Sequence, residues 1–62
     1  MEIARVKSGM SVIVNKAKSP YDGQEGKVLT THYDLSGEEC IRLYMEESCD
    51  VVSGYKAVEL VP

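Results

Sequence analysis

Aliphatic and polar residues alternate in short runs along this chain, and turn residues separate the runs. Met10, Val12 and Val14 alternate with Ser11, Ile13 and Asn15, which predicts a strand whose first set faces a core and whose second faces out. Ile13 is the apolar exception, and Ile3 or Val6 is expected to cover it. The next eleven residues, Lys16 to Gly26, have almost no apolar content. Pro20 and the pair Asp22-Gly23 favour reversal of the chain there. Gly26 then opens a second strand in which Val28 points inward and Leu29 outward, unless a bulge resets the phase. Thr30, Thr31 and Tyr33 favour extended backbone.

A turn at residues 34–39 leads to a third strand, with Ile41, Leu43 and Met45 inward and Cys40, Arg42 and Tyr44 outward. A tight turn around Glu46, Glu47 and Ser48 returns the chain. Pairing Leu43 with Val51 sets Met45 opposite Cys49, and in that register Cys40 and Cys49 lie on opposite faces and cannot bond. Gly54-Tyr55-Lys56-Ala57 reads as a single 3-10 turn. The segment 58–61 closes the sheet with Val58 and Leu60 inward. The expectation is therefore an all-β fold: a five-stranded, strongly bent antiparallel barrel with one 3-10 turn before its last strand. It forms one domain over residues 1–62, with residues 1–8 an N-terminal extension or an extra edge strand.

The stretch GMSVIVNKAKSPYDGQEGKVL resembles the KOW motif of bacterial elongation factors of the NusG type and of several large-subunit ribosomal proteins. In that motif a valine-bearing strand enters a loop followed by Gly-x-x-Gly-x-Val. The counterparts here are Val12, Val14, Gly23, Gly26 and Val28. The remainder, from Cys40 to the closing VELVP, is similar to the second half of Src-homology-3-like barrels, including an aromatic, Tyr55, at the one-turn helix. Both resemblances imply a small SH3-like barrel that binds a macromolecule. Proline-rich-peptide binders of the Src-homology-3 family carry a tryptophan on the binding face, and this chain has none.

Charge adds a weak polarity. Residues 1–27 hold five Lys or Arg against three acids, a net of +2, and residues 28–62 hold two against seven, a net of −5. Sixty-two residues leave little room for a deep active site, which favours a binding module over an enzyme. There is no nucleophile elbow, phosphate-binding glycine loop or CxxC pair. Cys40, Cys49 and His32 lack zinc-ligand spacing, so no metal or cofactor is expected. No stretch is apolar enough for a signal peptide or a membrane span, and the expected location is the cytoplasm.

Two surfaces carry candidate chemistry. Lys16, Lys18 and Lys27, with Tyr21 near the loop tip, supply cations and a stacking ring suited to RNA or DNA. Their plainer role is that of ordinary solvated loop residues. Tyr33, Tyr44 and Tyr55 at outward positions, with Glu46 and Glu47 in the acidic turns, suit a protein partner with a basic surface. The leading expectation is an accessory module that docks on a ribonucleoprotein or transcription-type assembly through the first loop. The alternative is a protein-interaction adaptor or small regulatory subunit using the tyrosines and the acidic face. Ile13, Leu29 and Val52, if all outward, leave an apolar edge open to self-association.

Overall fold

The chain's alternation is realised as five antiparallel strands in a computed structural model, which describes residues 2–62. They are β1 (Ser11–Val14), β2 (Glu25–Tyr33), β3 (Glu39–Met45), β4 (Asp50–Tyr55) and β5 (Leu60–Val61), and they form one curled sheet in the order β4-β3-β2-β1-β5. A 3-10 turn, Ala57–Glu59, precedes β5. A second 3-10 turn, Ile3–Arg5, stands where an N-terminal extension or edge strand was expected; Met1 lies outside the described residues. Among the described residues there is no α-helix, and no helix is long and apolar enough to cross a membrane. The architecture fits a small barrel of the Src-homology-3 type.

Val12, Val14, Val28, Ile41, Leu43, Met45 and Leu60 meet in the interior, each almost fully buried. Tyr55 and Ala57 close one side, and Ile3, Val6, Met10, Tyr21 and Val52 pack around this core. Ile3 and Val6 therefore serve the core, while Ile13 stays partly exposed beside its strand partner Val61. The register of β2 on β3 slips between Val28 and Thr30, and Leu29 points out at this irregularity.

The structure corrects several expectations. Leu43 pairs with Val52, not Val51, and Met45 pairs with Asp50. Cys49 turns with a positive φ of 55° and belongs to the connection rather than to the strand. This one-residue change exposes Val51 and half-buries Val52. Val58 lies in the 3-10 turn, where Ala57 is the buried member, and is 81% exposed. Cys40 is buried, not outward, because the end of β3 is covered by the Lys56 side chain and by the turn that begins at Asp34. Tyr44 is half-buried rather than fully outward. Both cysteines are free, with Cys49 exposed.

Candidate macromolecule-binding groove at the first loop

Between β1 and β2 the chain makes consecutive turns that fold the first loop back on itself. The amides of Ser19, Asp22 and Gln24 donate to the carbonyls of Lys16, Ser19 and Tyr21 at 2.9, 3.1 and 3.0 Å. Two bonds close the loop at its base, from Gly23 N–H to the Val14 carbonyl (2.8 Å) and from Val14 N–H to the Gln24 carbonyl (3.0 Å). Asp22 Oδ1 accepts the Lys16 N–H at 2.9 Å, an internal clasp typical of aspartate in turns. Gly23 sits at φ +82°, a conformation that side-chain-bearing residues rarely adopt.

The loop is tied to β4 by two tyrosines. The Ser19 and Tyr55 hydroxyls lie 2.5 Å apart, and Ser19 Oγ also accepts the Tyr21 N–H at 3.1 Å. The Tyr21 hydroxyl donates to Asp50 Oδ2 at 3.0 Å, and this bond to a carboxylate raises the Tyr21 pKa above the ordinary phenol value. Between loop and strand runs an open groove of about 480 Å3, a volume within the range of small-ligand sites. Lys16, Lys18, Pro20 and Tyr21 line the loop side; Val52, Gly54 and Tyr55 line the strand side.

Lys16 Nζ sits 5.6 Å from the centre of the Tyr55 ring and 2.9 Å from Glu59 Oε2. Partial burial pushes the Glu59 carboxyl up, but the Lys56 N–H and the Lys16 ammonium outweigh it and hold the pKa below the usual value. Lys18 makes no ion pair among the described residues. The groove thus joins two ammonium groups, a proline and two aromatic rings, with no carboxylate in its lining.

Three of the four residues expected to contact nucleic acid, Lys16, Lys18 and Tyr21, therefore meet. Lys27 does not line this groove: it lies on β2 opposite Tyr44, and its ammonium is 3.6 Å from Glu46 Oε1. The expected protein-binding set is dispersed. Tyr33 is exposed at the end of β2, and Tyr44 is half-buried on β3. Glu46 and Glu47 are exposed in the connection to β4. Tyr55 is a correction, since it is 7% exposed and its ring closes the core instead of facing out. That inward turn places its hydroxyl on Ser19.

A second polar cluster, at the far end of β3, joins residues that nothing in their spacing connects. Lys56 Nζ lies 2.6 Å from Asp34 Oδ2, 3.2 Å from Glu38 Oε2 and 3.1 Å from Cys40 Sγ. Asp34 Oδ1 accepts the Ser36 N–H, the Ser36 hydroxyl and the Glu38 N–H. The Lys56 ammonium, aided by the Ser36 and Glu38 donors, holds the Asp34 carboxyl far below the usual range; Asp34, then Cys40 and Glu38, raise Lys56 above its own. His32 stands opposite Cys40 on β2, and its Nε2 is shielded with no hydrogen-bond partner in the protein. Among the described residues no group of three or more His, Cys, Asp or Glu is arranged to hold a metal ion. Comparison with known protein families, with characterised proteins and with solved structures finds no match to this chain.

Proposed function

We propose that this chain is a non-enzymatic binding module of the KOW or SH3-like kind, which docks on a ribonucleoprotein or transcription-type assembly through its first loop. Single-stranded RNA is the ligand chemistry that suits the groove best. One observation carries the reading: Lys16, Lys18, Pro20, Tyr21 and Tyr55 converge on one concave surface that has no acid in its lining. Ammonium groups meet phosphates, and the half-buried Tyr21 ring offers a base a stacking surface irrespective of sequence, while Tyr55 closes the core beneath it. Lys18 supplies the phosphate contact with no partner to leave. Lys16 must give up part of its hold on Glu59 to join it. The tyrosine-and-acid adaptor surface is the weaker alternative, because its members are spread over β2, β3, β4 and a turn.

The test is fluorescence anisotropy of a labelled uridine oligomer and its deoxy counterpart, titrated across salt concentration. Binding should weaken as salt rises. Lys18→Ala should remove about one phosphate contact, which lowers the slope of log K against log salt by about 0.7. Lys27→Ala should leave the slope unchanged. Absence of binding at low salt, or equal slopes for wild type and Lys18→Ala, rejects the reading.

A further inference from the structure

A second groove, of about 630 Å3, runs between the turn Ile3–Arg5 and the turn Ala57–Glu59. It shares no lining residue with the first-loop groove, so its role is independent of RNA binding there. Its floor is aliphatic: Ile3, Ala4, Ala57 and Val58. Val58 is 81% exposed, although strand alternation would have turned it inward; the 3-10 turn directs Ala57 to the core and leaves Val58 facing water. The rim is acidic, formed by Glu2, Glu38 and Glu39. Among the described residues Lys56 is the single cation in the lining, and its charge is already taken by Asp34 at 2.6 Å and Glu38 at 3.2 Å. Three acids against one cation leave the lining at −2, and Asp34 behind Lys56 makes the neighbourhood more negative still. Arg5 reaches Glu2 only at 3.8 Å, with both side chains about 80% exposed, a surface pair that a competitor displaces easily.

We propose that this acid-rimmed aliphatic groove docks a short segment of a protein partner in which one or two aliphatic side chains are flanked by lysine or arginine. The aliphatic groups cover Ala4 and Val58, and the flanking cations pair with Glu2 and Glu39. Burial of aliphatic surface supplies the affinity. The rim charges select the sign of the partner and speed its approach. The same charges repel nucleic acid and anionic lipid, so the two grooves discriminate between ligands of opposite charge.

The experiment is a titration of the isotope-labelled full chain, followed by amide shifts. The probes are a blocked hexapeptide of alternating leucine and lysine and two controls, one with glutamate for lysine and one with serine for leucine. The leucine–lysine peptide should shift Ile3, Ala4, Glu39 and Val58 saturably, and neither control should. Val58→Ser, at an exposed turn position that the fold does not need, should weaken binding about tenfold. Glu39→Gln should weaken it several-fold and flatten its salt dependence. The proposal is overturned if the peptide produces no saturable shift, shifts only the Lys16–Tyr21 groove, or binds Val58→Ser as tightly as wild type. It is equally overturned if sedimentation shows a dimer of this chain that Val58→Ser abolishes, because the groove is then covered by a second copy.

Discussion

Gly23 and Gly26 look alike in the sequence, yet they are required for different reasons. Gly23 has open space around it, and only its φ of +82° excludes other residues. A Cβ on Gly26 would lie 2.7 Å from Sδ of Met45, a side chain that is itself fully buried. Gly23→Ala should therefore cost about 1–2 kcal/mol through backbone strain alone. Gly26→Ala should cost about 1–3 kcal/mol through overpacking. Urea unfolding of single and double variants separates the two. Shortening Met45 to Val should offset part of the Gly26→Ala loss and none of the Gly23→Ala loss; equal coupling at both sites would contradict this. The spacing of the two glycines marked a turn and a strand start but did not mark Met45, which the β2–β3 register brings alongside. Burial of Cys40 was hidden for the same reason. Alternation placed it outward, whereas the covering groups, Lys56 and Asp34, come from other elements.

At the scale of elements, β1 and the inward face of β3 were legible from their alternate buried aliphatics, Val12 and Val14, then Ile41, Leu43 and Met45, and β2 from the glycine and valine at its start and the β-formers that follow. The far half was less so. The connection from β3 to β4 has no glycine or proline to fix its length, and Cys49 takes the left-handed conformation that a glycine would have advertised. The resulting one-residue shift turned Val51 out. In the turn after β2, the carboxylate of Asp34 organises two backbone amides and the Lys56 ammonium. Its pKa is depressed in the folded chain, so it contributes stability above the ordinary aspartate range and loses it as pH falls below about 4. Lys56 is raised, so its contribution holds below about pH 10.5 and fades above. Asp34→Asn should lower the urea midpoint at neutral pH and flatten its decline toward acid. A variant with an unchanged acid limb would show that other carboxylates carry the dependence.

Taken whole, the molecule has a Cα radius of gyration of 10.4 Å, close to the ~10.6 Å expected of a compact chain of this length. Its concave surfaces are shallow grooves, one between the first loop and β4 and another between the two 3-10 turns. The weak charge polarity of the sequence becomes, in the fold, one groove lined by lysines and tyrosines and another rimmed by glutamates. Which lysines would cooperate could not be read from spacing: Lys16 and Lys18 share the loop and line the groove, whereas Lys27 stands on β2 beside Glu46 and does not. The groove beside that loop is the centre of the functional account. It is tested most directly by titrating a uridine oligomer into the isotope-labelled chain at low salt and reading every amide. The account predicts saturable shifts confined to Lys16–Tyr21 and Val52–Tyr55, which revert as salt is raised. Unmoved spectra, or shifts lying elsewhere on the barrel, would contradict it.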